Sequence, residues 1–524
     1  MNNINTISFK RLAINLLAIL TVALVFLPVS HAKSAPYSSI EDFLQKQRLI
    51  RVCISNGPGF GDQASAFNVM SHLRQLGYQG NFEVIYDKWV MNAVSTVFNL
   101  PATIPEVYTD EINHIKFIEK NTYSKLFDNH QIERVDFGFN LGKSQLACEI
   151  EDANTNTFAD FMPYFGNTND ETLITTLTQD QERPTEIWQD GSARKYFIIP
   201  VPSYEETKQF LQNDPKGKAL SLQKPALKTF LNGIDNQLYN VIFIYGYTVK
   251  LDTAGHYNLP IMASNILQTI AGARYAQLMG PADLKKPIVI AVFYNYINDA
   301  KTILQLIHSK HWGDLEIAGA VDARAAIHQL KLEESVSIAD IEDPATITTL
   351  QTVKPGQILL LSMGTMPKNV FDGIYNYTAD NILPQVHEGA GTFSTLMQTG
   401  RPHFECAARS GVFANDTERY EWTPGFDLVS DPLLKVTLQQ LYNQQAGYCG
   451  LIISDDGQHE QYDFSLPWKQ RTYQTLGQLI IDTKDKNSAF SKYFVDLQRD
   501  VQNPENDRVR YALEEVVKQL NKMQ

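Results

Sequence analysis

Apolar positions along the chain fall into two series of short runs separated by helical stretches. The first run, Leu49-Ile50-Arg51-Val52-Cys53-Ile54, reads as a buried strand. A glycine-rich stretch from Ser55 to Gln63 follows. Residues 64–76 then carry Phe67, Met70 and Leu73 at helical spacing, and Gly77 closes that helix. Phe82-Glu83-Val84-Ile85-Tyr86 is the next strand, so the chain opens with a strand–loop–helix–strand unit. Further strands are expected at 114–117, 135–139 and 196–200. Residues 150–195 are rich in Asn, Asp, Thr and Gln, and are expected to form a loop-rich excursion with short helices. A helical stretch and a crossing occupy 203–236.

The second series begins with strand 239–245 and helix 261–279. Strand 287–293, helix 299–311, strand 315–318 and strand 357–362 follow, then a short helix over 367–377. Strand 382–386, a helix ending at Gly400 and strand 401–406 complete it. Strands alternating with helices indicate parallel sheets covered on both faces, and the repetition indicates two of them. The tail from Asn503 carries Val509, Leu513, Val516, Leu520 and Met523 as one apolar stripe, the mark of an amphipathic helix docked on a domain. The expected layout is an α/β protein of two Rossmann-like doubly wound domains facing a cleft, with that helix at the C-terminus. Its segments are 1–32 as a leader, 33–237, 238–485 and 486–524.

The leader changes where the protein is expected to work. Lys10 and Arg11 precede an apolar stretch over 12–29, and Ser30-His31-Ala32 offers small residues for cleavage after Ala32. Export to the periplasm or beyond is the expectation. The alternative is an uncleaved anchor in the inner membrane, because the stretch approaches the roughly 20 residues that span a bilayer. A net charge of −13 and the lack of a basic run argue against nucleic acid as a partner. Export permits disulfides among Cys53, Cys148, Cys406 and Cys449, although Cys53 and Cys406, on strands, are expected to be small buried thiols. No Cys/His spacing suggests a metal, and no cofactor is implied.

The richest chemistry lies in Val386-His387-Glu388-Gly389-Ala390-Gly391-Thr392-Phe393, followed by Gly400-Arg401-Pro402. It reads as a strand, a tight glycine turn and a helix start. Gly389 and Gly391 let backbone approach a ligand closely. The free amides of a helix N-terminus suit phosphate, with Thr392 adding a hydroxyl and His387 a ring N–H.

This segment resembles the donor motif of GT-B glycosyltransferases of the UDP-glycosyltransferase type, a His-x-Gly-x-Gly-Thr turn followed by a helix and a Gly-x-Pro turn. The resemblance implies that His387, Glu388, Gly389, Ala390, Gly391 and Thr392 contact a donor diphosphate. It also places Gly364, after the strand at 357–362, along the donor cleft. Many members follow the Gly-x-Pro turn with an Asp-Gln or Glu-Gln pair that grips donor-sugar hydroxyls. Here the continuation is His403-Phe404-Glu405-Cys406, so Glu405 supplies at most part of that grip.

The first glycine-rich loop is the second candidate. Its Gly57-Pro58-Gly59-Phe60-Gly61-Asp62 lacks the spacing of a dinucleotide fingerprint. The Gly61-Asp62 pair is similar to the Gly-Asp loop of bacterial heptosyltransferases. That similarity implies Asp62 as the base that deprotonates the acceptor hydroxyl, with Gly59, Phe60 and Gly61 lining the acceptor loop. Asp62 is equally suited to cap the following helix.

The expected activity is transfer of a sugar from a nucleotide-sugar to a hydroxyl of a carbohydrate, lipid or protein, with inversion and without metal. The alternative is a non-catalytic carbohydrate- or nucleotide-binding protein that keeps this fold. A membrane enters only if the leader stays uncleaved.

Overall fold

The computed structural model describes residues 36–54, 61–141, 153–161, 172–176, 185–190, 196, 198–245, 259–293, 320–387, 390–405, 428–442, 451–453, 460–462 and 466–523. Strands β1 (Leu49–Cys53), β2 (Asn81–Tyr86), β3 (Val107–Asp110), β4 (Ile115–Glu119), β5 (Val135–Leu141), β6 (Thr155–Phe161), β7 (Thr172–Thr176) and β8 (Thr185–Asp190) form one sheet in the order β3-β4-β2-β1-β5-β6-β7-β8. Its centre is parallel, and its outer pairs β3–β4, β6–β7 and β7–β8 are antiparallel.

Two expectations fail here. The polar region 150–195 is not a helical excursion, because it supplies β6, β7 and β8. Its threonines are β-branched residues that fit a pleated surface. Thr155 and Thr157 are fully buried on β6, where their polarity disguises a period-two pattern. The strand expected at 196–200 is also absent. Tyr196 instead forms an isolated bridge with Asp507, so it pairs with the returning C-terminal segment.

Strands β9 (Asn240–Tyr245), β10 (Ile288–Phe293), β11 (Val336–Asp340), β12 (Ile358–Gly364), β13 (Gln385–His387) and β14 (His403–Glu405) form a second sheet in the order β11-β12-β10-β9-β13-β14. Every neighbouring pair in it is parallel. β11 was not expected; its side chains are only half buried, which weakens its pattern in sequence. The helix expected at 299–311 and the strand at 315–318 lie outside the described residues. The chain thus holds two Rossmann-like doubly wound sheets.

The helices that position the site are α1 (Gly61–Gln75), α2 (Met91–Val97), α3 (Tyr204–Asn213), α4 (Pro215–Gln223), α5 (Lys368–Tyr375), α6 (Ala390–Thr399), α7 (Ala489–Val501) and α8 (Arg508–Met523). Gly77 and Gly400, which follow α1 and α6, adopt φ of +105° and +66°, as helix-ending glycines do. Helix α1 touches α6, and α2 touches α5, so the two halves meet. One apolar cluster runs from Val52 and Leu73 to Ile244, Val386 and Met397.

The tail crosses between the sheets. On α7, Phe490 stacks on Phe404 of β14 at 5.7 Å. Helix α8 then lies against β6, β7 and β8, with Val509, Leu513 and Val516 buried and Leu520 half buried, as the stripe requires. His72 Nε2 of α1 meets the carboxylate of Asp507 at 2.7 Å, fastening the start of α8 to α1.

Candidate functional site

In a doubly wound sheet the ligand crevice opens where the strand order reverses, outside the carboxyl ends of the strands. The second sheet reverses between β9 and β13. Tyr245 and His387 are the last residues of these strands and are paired in register. From there the chain runs through residues 388–389 into α6 at Ala390. The helix is ten residues long and its first turn holds no acidic residue. The end of β13 and the start of α6 therefore lie at the switch point.

The surroundings hold that edge rigidly. The Tyr375 hydroxyl of α5 donates to the Val386 carbonyl at 2.7 Å, and burial raises its pKa well above the usual tyrosine value. His387 is fully buried, with its ring 5.1 Å from that of His403. His403 in turn contacts the Arg401 carbonyl through Nδ1 at 2.9 Å. Thr392 is also buried, and its carbonyl accepts from the Thr395 hydroxyl at 2.7 Å. Glu388 and Gly389 lie outside the described residues. Ala390, Gly391 and Glu405 are placed by their backbone.

Gly364 ends β12 on the same edge of the sheet. β10 and β9 separate β12 from β13, so Gly364 stands roughly 14 Å from the turn at the usual strand spacing. Its φ is +64°, and a Cβ there would lie 3.1 Å from Lys224 Nζ. That ammonium is buried, and it donates to Glu342 Oε1 and to the Met363 carbonyl at 3.0 Å each. Lys224 is a cation at the carboxyl edge that no sequence pattern announced, because it comes from the crossing between the sheets.

The first sheet reverses between β1 and β5. Helix α1 opens at Gly61, with Asp62 in its first turn. Gly59 and Phe60 lie outside the described residues, and Asp62 is placed by its backbone. Two buried carboxamides were missed. Asn68, on α1, and Asn140, paired with Cys53, are both enclosed, and among the described residues none of their side-chain amide atoms has a hydrogen-bond partner. Asn68 had a signal in the sequence. Ser65, Asn68 and His72 recur at helical spacing and are all buried, forming a polar stripe on an inward face.

Cys53 corrects another expectation. It is not a free buried thiol but is disulfide-bonded, to a cysteine outside the described residues. Burial of a strand end does not separate the two states, and the partner is remote in sequence. Among the described residues no group of three or more His, Cys, Asp or Glu is placed to hold a metal, and no helix is long and apolar enough to cross a membrane.

The two switch points belong to helices that touch each other, α1 and α6. No protein-family model and no curated protein sequence matches the chain. Among solved structures it is similar to a family 9 glycosyl transferase from Veillonella parvula DSM 2008, with a TM-score of 0.30 and 10% identity, covering 68% of this chain and 80% of that one. It is similar to a trehalose-6-phosphate synthase, with a TM-score of 0.36 and 8% identity over 91% of this chain and 99% of that one. A ugt transferase from Siraitia grosvenorii in complex with UDP gives 0.31 and 10%, over 87% and 100%. These superpositions are loose. The crevice is located by this chain's own strand order.

Proposed function

We propose that the chain transfers a sugar from a nucleotide-sugar donor to a hydroxyl acceptor, with the donor on the second sheet and the acceptor on the first. The observation that carries this reading is the position of His387 and the start of α6 at the reversal between β9 and β13. In this reading the amides at the start of α6 take the donor diphosphate. Asp62 accepts the proton of the acceptor hydroxyl, whose oxygen attacks the anomeric carbon opposite the diphosphate. The sugar–phosphate bond breaks, and the helix N-terminus receives the negative charge of the leaving group. One displacement of this kind inverts the anomeric centre and needs no metal. The units that carry it are 33–237 and 238–485.

We place the protein outside the cytoplasm after loss of residues 1–32. The disulfide at Cys53 supports this, since such bonds persist in oxidising compartments. Nucleotide-sugars are cytoplasmic products, so the donor has to be delivered to the protein or the leader has to remain as an anchor. The missing Asp-Gln pair beside Glu405 favours a second reading, a binding protein without turnover.

The test is nucleotide release by protein lacking residues 1–32, across a panel of nucleotide-sugars and simple glycoside acceptors. Release with one donor, reduced about a hundredfold by Gly391→Asp, is the expected result, because the new carboxylate repels the diphosphate. Donor binding without release from folded protein would leave the binding reading in possession.

A further inference from the structure

A strand end beside the first switch point presents an aromatic ring to solvent. β2 ends at Tyr86, and the chain turns through Lys88–Val90 into α2. An Asp87 carboxylate oxygen accepts from the Trp89 amide at 3.4 Å, and Val90 is buried, so the backbone is held on both sides of Trp89. The Trp89 side chain is nonetheless 58% exposed, more than any other Trp, Tyr or Phe among the described residues. Among those residues its indole has no ring, cation or hydrogen-bond partner.

The helices fix where this ring stands. Helix α1 touches α2 as well as α6, so the start of α1 has both Trp89 and the start of α6 as neighbours. Phe98, which follows α2, meets Phe67 of α1 with ring centroids 5.4 Å apart. Counted back from that contact at 1.5 Å per residue, Trp89 and Gly61 lie roughly 14 Å and 9 Å away, at the same carboxyl edge of the sheet. Packed helices lie about 8–10 Å apart axis to axis, so the indole and the start of α1 are separated by about the length of a disaccharide.

We propose that Trp89 is the platform for a sugar ring of the acceptor, which makes the acceptor an oligosaccharide with its reacting hydroxyl at the start of α1. The inference rests on the glycosyl-transfer reading for the direction of that chain, but the platform holds sugar without a donor. One face of a pyranose is a patch of C–H groups polarised by neighbouring oxygens, and it suits the negative face of an indole. The hydroxyl rim needs hydrogen-bond partners, and the exposed Lys88 and Asn92 stand one residue before the ring and three after it. A lipid tail would need continuous apolar surface, which these two side chains interrupt.

Maltotriose, cellotriose and chitotriose are titrated by calorimetry into protein lacking residues 1–32, without donor. One of them should bind at one site per chain. Trp89→Ala should weaken that binding by about fivefold or more, and Trp89→Phe, which keeps a smaller ring, by less. Melting temperatures should match the parent, because the indole is not part of the core. In transfer assays Trp89→Ala should raise KM for the trisaccharide by the same factor with kcat near the parent value. It should leave KM for a methyl monoglycoside unchanged, because a single sugar at α1 does not reach the indole. Failure of all three sugars to bind, or wild-type affinity in Trp89→Ala, would overturn the platform even where transfer to a monosaccharide proceeds. An equal rise in KM for both acceptors would overturn it as well. Trisaccharide binding that depends on Trp89, with no nucleotide release from any donor, would keep the platform and sink the transfer reading.

Discussion

The two switch points share a topology and differ in charge. On the second sheet, α6 opens on Ala390, Gly391 and Thr392 with no acidic residue in its first turn. On the first, α1 opens on Gly61 and Asp62. Both helix N-termini present free amides and a positive dipole end. In the proposed reading this contrast sends the diphosphate to α6 and the acceptor hydroxyl to α1. The sheets behind them differ in the same way. Strands β9, β10 and β12 carry no ionisable side chain except Tyr245 at the crevice edge. The first sheet is built around a buried cation. Arg51 of β1 is 1% exposed, pairs with Glu83 of β2 at 2.9 Å, and donates to the carbonyls of Ala153, Asn154 and Glu133. Glu83 also holds Lys116 of β4 at 3.1 Å.

The sharpest way to test the contrast is Asp62→Asn. The expected capping role fails, because α1 already begins at Gly61 and Asp62 lies within its first turn. Asn there removes only the small attraction of a carboxylate to the helix dipole, so a purely structural Asp62 would leave the rate of transfer unchanged. A base at this position predicts a loss of about 100- to 10,000-fold in turnover, with donor affinity by calorimetry held near the parent value. Next in size is Arg51→Ala. It leaves the buried Glu83 carboxylate with only the half-exposed Lys116 as partner and should cost about 3–5 kcal/mol in urea denaturation. Arg51→Met with Glu83→Leu should recover much of that, because an apolar replacement removes both buried charges together. Loss of stability equal in the single and double variants would mean that the carbonyl contacts, not the ion pair, hold β1.

Much of this layout is written locally. The runs that became β9, β10 and β12 are almost wholly apolar, those of β1 and β2 are apolar apart from Arg51, Asn81 and Glu83, and a buried parallel strand needs no partner information to be seen. The turn at His387 is legible for the same reason, since the helix start and its glycines are neighbours in sequence. What was not legible depends on distant partners. Arg51 looks out of place in its strand until Glu83 is placed beside it. Thr155 and Thr157 look like loop residues until β5 and α8 bury them. Lys224 reaches Gly364 only because the chain crosses between the sheets, and the Cys53 disulfide is set by a fold-level meeting of two thiols.

That disulfide gives a smaller break, made at the end of β1. Cys53→Ser should lower stability by about 2–4 kcal/mol. Reductant should bring the parent protein down at least as far. A variant that melts with the parent, in a preparation whose thiol count shows Cys53 oxidised, would remove the bond from the reasons the first sheet is stable.

The smallest effect belongs to the crossing between the sheets. Ser203 caps α3, its hydroxyl accepting from the Glu206 amide at 3.2 Å while the Glu206 carboxylate accepts from the Ser203 amide at 2.6 Å. These two orphan amides at a helix start are satisfied reciprocally, and Ser203→Ala should cost about 1 kcal/mol. The backbone amide and then the hydroxyl of Ser203 hold the Glu206 carboxyl below the usual glutamate range. A carboxyl lowered in the folded state adds stability above its unfolded value and loses it as pH falls through the folded one. The cost of Ser203→Ala, read from urea midpoints, should therefore be largest at neutral pH and shrink below about pH 4. Glu206→Gln keeps an acceptor without a titrating proton, so the same serine substitution made in that background should cost the same at both pH values. A cost that does not shrink in the parent would show that the cap acts through the hydroxyl alone. Helix α3 would then belong with the charge-free construction of the second sheet rather than with the ionic construction of the first.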